Sequence, residues 1–280
     1  MKLHVVHRTV YRYNSLVTQN LNEVRLKPMS DEGQVCESFS LITRPESRLT
    51  DYLDFYFNYV QIFEIQPPHQ ELIIESASAV STKSHTLSRD AVTSPLSHLP
   101  EYHQLERCYD FIQPSALVAV SPEVWRLAVD ACHGITDIWQ SAVAIMRFIH
   151  SNFRYVPDST NVSTHMNEVL HQRRGVCQDF AHVMLGMCRA LKIPARYVSG
   201  YIYNGRTDQL IGSQASHAWC EIYLPDLGWQ GLDPTNDKPT DERFVKVAVG
   251  RDYSDAAPVK GHFRGSPSGK MSVEVEVTLI

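Results

Sequence analysis

The spacing of hydrophobic and polar positions changes character twice along the chain. At the start, Leu3, Val5 and His7 alternate with His4, Val6 and Arg8, the two-residue period of a strand. The run from Tyr52 to Phe63 is dense in aromatic and β-branched residues, and Glu71 to Glu75 reads as a further strand after the Pro67-Pro68 break. Pro28, Gly33 and Pro45 punctuate this stretch as turns do. Residues 1–82 therefore predict a β-sandwich-like domain. Residues 83–120 have no sustained period and are rich in Ser, Thr, Pro and His, as in Ser94 to Pro100, which suits a linker or a segment wrapped on the surface.

From Ser121 the period becomes helical. Ser121 is a favourable N-cap and Pro122 suits the first helical position. Ile138, Trp139, Ala142, Val143, Ile145, Met146 and Ile149 predict a helix from Thr136 to about Phe153. Met166, Val169 and Leu170 predict a short helix ending near Gly175, and another should run from Cys177 to Leu191, with Pro194 beyond its end. The two-residue period then returns over Pro194–Tyr203, Ser216–Leu224, Gly228–Leu232, Phe244–Val249 and Ser272–Leu279. This order predicts an α+β chain: an N-terminal β-domain (1–82), the linker (83–120), and a core with C-terminal strands (121–280), its helices packed on an antiparallel sheet. The β-domain is expected to be autonomous and to restrict substrate or dock a partner.

Composition narrows the function. Of 280 residues, 43% are hydrophobic and 20% charged, with a net charge of -5, which fits a folded chain and offers no basic surplus for nucleic acid. His4, His7 and Arg8 interrupt any secretory apolar stretch, and no apolar run approaches the ~20 residues of a membrane span. The six cysteines (36, 108, 132, 177, 188, 220) show no C-x-x-C spacing, and the histidines show no metal-binding spacing. Neither cofactor nor metal is expected, and a reducing, cytoplasmic setting is the default. Cys188 lies eleven residues beyond Cys177, about 16 Å along a helix, too far for a disulfide. His182, five residues on, faces away from Cys177 and reads as structural.

Three segments carry candidate chemistry. Cys177 opens a helix, where free N–H groups and the helix dipole favour a thiolate; such cysteines have pKa values of about 3.5–7.5 instead of about 8.5. Asp179, in the same first turn, suits the helix but should slightly oppose that thiolate, so a base is still needed. His217 sits on a strand beside Trp219, whose ring would give it a partly dry environment. Asp233 ends the next strand before a proline, a position from which its carboxylate can reach the neighbouring histidine. Singly, each has an ordinary structural reading: a buried thiol, a half-buried ring, a turn-starting Asp-Pro. Together they supply nucleophile, base and orienting acid, and the short turn around Pro225–Gly228 makes the two strands antiparallel neighbours.

The blocks GVCQDFAH (175–182), IPARYVSGY (193–201), SHAWCEIYLP (216–225) and GWQGLDPT (228–235) resemble, in order and spacing, the core of the transglutaminase-like superfamily, which includes transglutaminases, cysteine proteases and peptide amidases. The early region around Asp54, Asn58 and Pro68-His69, and the stretch from Val247 to Gly265, resemble its bacterial members. The resemblance implies a papain-like core with nucleophile Cys177, base His217 and acid Asp233, acting on a peptide or protein substrate. The Cys177 N–H is the expected first oxyanion donor, and the second is not identified. Trp219 and Trp229 are the candidates for substrate-facing walls. The favoured outcome is hydrolysis or deamidation through a thioester, because water needs no dedicated channel. Transamidation to a lysine amine is the alternative. Acyl transfer from a thioester cofactor finds no adenine- or pyrophosphate-binding signature. A non-catalytic peptide-binding scaffold would have no use for all three groups.

Overall fold

The computed structural model describes residues 1–84, 86–205, 210–212, 215–225, 227–264 and 269–280. The chain begins with five strands: β1 (Lys2–Val24), β2 (Gln34–Arg44), β3 (Thr50–Leu53), β4 (Tyr59–Ile65) and β5 (His69–Thr82). Short helices α1 (Leu99–Tyr102) and α2 (Glu106–Tyr109) follow, then α3 (Pro122–Ala131), α4 (Ile138–Asn152), β6 (Arg154–Tyr155), α5 (Met166–Gln172), β7 (Arg174–Gly175) and α6 (Cys177–Ala190). The remainder is β8 (Ala195–Ile202), β9 (His217–Leu224), β10 (Gly228–Asp233), β11 (Lys238–Pro239), β12 (Phe244–Gly250), α7 (Tyr253–Ala256), β13 (Val259–Arg264) and β14 (Gly269–Leu279). Among the described residues no helix is long and apolar enough to cross a membrane.

The fold is α+β: a curled antiparallel sheet of seven strands, then helices packed on a second antiparallel sheet. In the first sheet β1 is the axis. Its early half pairs with β5 and β14 and its later half with β4 and β13, with a slip between Arg12 and Val17 in the pairing with β5 where the strand bends. β13 and β14, grouped by sequence order with the core, thus lie in the N-terminal sheet. The aromatic run at 52–63 is not one strand. The Asp54 carboxylate accepts from the N–H groups of Tyr56 and Asn58, and a tight turn separates β3 from β4, with Phe57 at φ +62°.

The second sheet has the order β11-β10-β9-β8-β12. Helix α6 lies against it and is buried over its whole length, so it carries no polar stripe. Val183, Met184 and Met187 pack in one core with Ile145 and Met146 of α4, Ala195 and Tyr197 of β8, and Ala218, Cys220 and Ile222 of β9. Helix starts follow local chemistry. The Ser121 hydroxyl accepts from Val124 N–H, and α4 begins two residues later than its periodicity suggests because Asp137 caps it through Gln140 N–H. Segment 83–120 wraps onto the helices: Trp139 Nε1 donates to Ser88 O, and Gln140 Nε2 to Arg89 O and Ala91 O. Asp226, in the turn expected between β9 and β10, lies outside the described residues.

The two sheets meet directly. Leu3, Val5 and Val80 pack with Tyr201, Val245 and Val247. His7 Nδ1 lies 3.1 Å from the Tyr201 hydroxyl and its Nε2 lies 2.9 Å from Thr9 Oγ1. The free edge of β12 is closed by amide side chains. Asn58 donates to Val249 O and accepts from Val249 N, both at 2.8 Å, and Gln34 does the same to Lys246 at 2.8 Å. These contacts satisfy backbone groups that would otherwise be buried unpaired.

Candidate active site

Cys177 is the first residue of α6, following Val176 in an extended conformation. Helix geometry leaves the first N–H groups without intrahelical partners, and the dipole puts partial positive charge there. The entry is braced by Asp179, whose Oδ2 accepts from Val176 N–H at 2.7 Å and from Thr160 Oγ1 at 2.5 Å. Burial pushes the Asp179 carboxyl up, and these two hydrogen bonds only partly offset it. The residue expected to suit the helix while slightly opposing the thiolate is the brace that sets the helix entry. A parallel bridge between β6 and β7 places Tyr155 opposite Gly175, two residues before the cysteine, and the Tyr155 ring packs edge-on against Phe180. Burial, then the charges of Cys177, Asp179 and Asp233, raise the Tyr155 phenol to about 12, so it stays a donor at working pH.

His217 begins β9 and Asp233 ends β10, and the hairpin brings them together. His217 Nε2 lies 2.9 Å from Asp233 Oδ2, and both side chains are fully buried. Asp233 is held in turn. Its Oδ1 accepts from Thr235 N–H at 2.9 Å and Asn236 N–H at 3.3 Å, and its Oδ2 also accepts from Asn236 Nδ2 at 2.7 Å. Burial alone would lower the His217 pKa. The Asp233 charge and hydrogen bond, then the Cys177 sulfur, more than reverse this and raise it from 6.5 to about 10. The other ring nitrogen, Nδ1, is buried without a well-aligned hydrogen bond among the described residues, yet the sulfur is close enough to favour the charged ring. A loosely aligned thiol–imidazole contact is common in a substrate-free site and tightens when substrate binds. Gly212 packs on the same ring: a Cβ there would lie 2.3 Å from Nδ1.

The two tryptophans line one groove beside the candidate triad. Trp219 does share the His217 face, its ring 6.2 Å away and nearly parallel, but that face is covered: Trp219 is 2% exposed and packs with Val198, Ile202, Phe244 and Val249. Gly200, opposite His217 on β8, leaves the space the Trp219 ring occupies. Trp229 pairs with Tyr223 at the far end of the hairpin, under the Arg196 guanidinium at 4.3 Å, and the lining of the groove of about 640 Å³ that both tryptophans share includes neither Cys177, His217 nor Asp233. His182 is fully buried and its Nε2 accepts from Tyr253 N–H at 3.1 Å. Burial, only partly offset by Asp252, lowers its pKa to about 3. Cys188 is buried, and burial pushes its thiol far up.

The sequence reading did not single out Tyr155, Thr160 or Asn236. Asn236 left a trace in the run Asp233-Pro234-Thr235-Asn236, where an Asp is followed by a polar residue three positions on, as in capped turns. Tyr155 left none, because a two-residue bridge has no period.

Comparison with known proteins agrees with this arrangement. Residues 126–234 match the transglutaminase-like superfamily core, and residues 3–81 match the bacterial transglutaminase-like N-terminal region. An uncharacterized protein of Mycobacterium leprae is 36% identical over 280 residues, 99% of this chain and 98% of that one. A protein-glutamine gamma-glutamyltransferase of Pseudomonas aeruginosa is 35% identical over 137 residues, 45% of this chain but 20% of its own. A solved structure of a candidate cysteine protease from Cytophaga hutchinsonii superposes with a TM-score of 0.79 at 25% identity, covering 100% of this chain and 91% of that one. The fold and its site define a transglutaminase-like protein. More narrowly, the chain belongs to the bacterial branch of that superfamily, with its characteristic N-terminal region preceding the core.

Proposed function

We propose that the protein is a cysteine-nucleophile acyl-transfer enzyme acting on amide bonds of a peptide or protein, with Cys177 as nucleophile, His217 as base and acid, and Asp233 as orienting group. The observation that carries this reading is the buried His217 ring, held by Asp233 at 2.9 Å on one nitrogen and kept charged beside the Cys177 sulfur. A binding-only scaffold would gain nothing from the cost of a buried charged pair.

In the forward half, the Cys177 thiolate attacks the amide carbonyl carbon. The oxyanion develops toward the Cys177 N–H at the head of α6. The C–N bond then breaks, the His217 imidazolium gives its proton to the departing amine, and a thioester remains. In the second half, His217 takes a proton from water, the hydroxide oxygen bonds to the carbonyl carbon, and the C–S bond breaks to release acid and thiolate. Asp233 stays ionised throughout and holds the ring.

Hydrolysis is the favoured outcome. The tryptophans that could have walled a dry amine channel line a groove that reaches none of Cys177, His217 and Asp233, and Trp219 is almost wholly buried at its wall. The likeness to the candidate cysteine protease also spans the whole chain. The local match to a protein-glutamine gamma-glutamyltransferase favours the second reading, transamidation. The test offers a reactive glutamine peptide and a protein substrate together with a labelled primary amine, and reads product masses. Free acid or cleaved peptide supports hydrolysis; amine incorporation dominating at modest amine concentration overturns it. The six free thiols are in keeping with a cytoplasmic setting.

A further inference from the structure

We propose that Asn236 is a positioning residue of this site: its amide fixes the Asp233 carboxylate and ties to it the Ile211–Gly212 turn that packs on the other end of the His217 ring. The proposal rests on the acyl-transfer reading above.

The Asn236 side chain faces two ways. Toward the site, Nδ2 donates at 2.7 Å to Asp233 Oδ2, the same oxygen that meets His217 Nε2. Toward the loop, Oδ1 accepts from Ile211 N–H at 2.9 Å and Nδ2 donates to Ile211 O at 3.1 Å, a two-point clamp of the kind one strand makes with another. The residue after Ile211 is Gly212, at φ +93°, whose missing Cβ would stand 2.3 Å from His217 Nδ1. The imidazole is thus confined at Nε2 by a carboxylate and at Nδ1 by a backbone turn, and one amide joins the two restraints. Only a primary amide fits this role. It needs a donor toward an anion and, toward a peptide group, a donor and an acceptor together. A carboxylate would set a second negative charge against Asp233, and an aliphatic side chain would release both ends.

Two consequences separate this role from plain packing. Loss of the amide should affect the reactivity of Cys177, which Asn236 reaches only through His217, by way of Asp233 on one side and the Ile211–Gly212 turn on the other. The part carried by Asp233 should vanish when Asp233 can no longer serve the ring. The measurement is the rate of Cys177 alkylation by iodoacetamide near pH 6, where ordinary thiols are protonated, followed by peptide mapping on the full-length chain. A double-mutant cycle compares wild type, Asn236→Leu, Asp233→Asn and the double variant. We expect Asn236→Leu, which keeps the branched shape of the side chain, to slow labelling by about 10-fold in the wild-type background and by no more than about threefold, through the Ile211–Gly212 turn alone, beside Asp233→Asn. Asn236→Ala repeats the cycle should the leucine variant not fold. Equal slowing in both backgrounds, or none in either, overturns the proposal. His217→Ala is the control for the underlying reading. If it leaves Cys177 labelling unchanged, the acyl-transfer site itself falls. If it slows labelling while Asn236→Leu does not, the role of Asn236 alone falls.

Discussion

Replacing Asp233 with Asn tests the site most directly, because the geometry dictates what the substitution does. Oδ1 accepts from the N–H groups of Thr235 and Asn236, so the oxygen of a new amide must remain there. Its NH2 group then takes the place of Oδ2 and faces two donors, His217 Nε2–H and Asn236 Nδ2. Asn236 cannot turn its own amide over without reversing both contacts to Ile211. The ring must yield: Nε2 becomes the acceptor and the proton moves to Nδ1, the nitrogen that should be free to act on the sulfur. The charge is lost as well. With Asp233 ionised the His217 pKa stands at about 10; without it, burial, the largest influence on the ring, pulls the imidazolium back down. Losing the whole rise from 6.5 to about 10 corresponds to about 5 kcal/mol as an upper bound. Relaxation and solvent access would reduce it to about 2–3 kcal/mol, roughly 10²-fold in population, and the wrong tautomer takes the loss of turnover to about 10²–10⁴-fold. Steady-state turnover on a cleaved peptide, with Cys177 alkylation against pH, measures both parts, while thermal melting checks the fold. Turnover within about threefold of wild type would refute the reasoning. So would a large fall in melting temperature with turnover intact, which would make Asp233 a turn residue only.

Other expectations follow from the same contacts. Burial lowers the His7 pKa from 6.5 to about 4, so the unfolded chain binds the extra proton between those values. Stability is therefore full above pH 6.5 and is lost as pH falls, by about 2 kcal/mol at pH 5; His7→Gln should flatten that slope in urea titrations, and an unchanged slope would remove His7 as its source. Asn58→Ala should cost about 2–4 kcal/mol, because it leaves the buried N–H and C=O of Val249 unpaired, and an unaltered urea midpoint would show that water replaces the amide. Gly212→Ala drives a Cβ against His217 Nδ1 at a backbone angle that favours glycine, so Cys177 labelling should slow by at least about tenfold while the melting temperature falls only a few degrees; undiminished labelling would mean that the turn does not confine the ring.

The helices of the core were legible because their signals are local. Ser121-Pro122, the apolar positions of α4 and the stop before Pro194 each act within one or two turns, and the ends of α3, α4, α5 and α6 fall within about three residues of where local signals place them. The His217–Asp233 contact was legible for a similar reason, since one short hairpin fixes both strands. The N-terminal sheet was harder. β1 runs for 23 residues, but its alternation is regular only at the start, because the strand bends and its two halves serve different neighbours. The clean alternation at 272–279 announced a strand without announcing its partner; pairing β14 to β1 joins residues some 270 positions apart, and period carries no such information. Tyr155 was illegible in the same sense, since it matters for what it touches after folding, and Asn236 left only the trace of a polar residue three positions after Asp233.

Trp219 shows that a local inference about a strand face does not fix what that face meets. Its place on the His217 face followed from strand geometry, and the rings do stack. What that face looks toward depends on what covers it. Here β12 supplies Phe244 and Val249, and Tyr56 and Met29 of the N-terminal region pack over them. The back of the histidine is thus sealed by a layer to which the first eighty residues contribute, the same residues whose Asn58 and Gln34 close the β12 edge. β12 pairs with β8, β8 pairs with β9, and β9 begins with His217. The N-terminal region therefore reaches the histidine through two strand pairings and one aromatic layer, so a disturbance at Asn58 has a mechanical route to the site even though no residue of the first sheet lies beside Cys177 in the contacts described above.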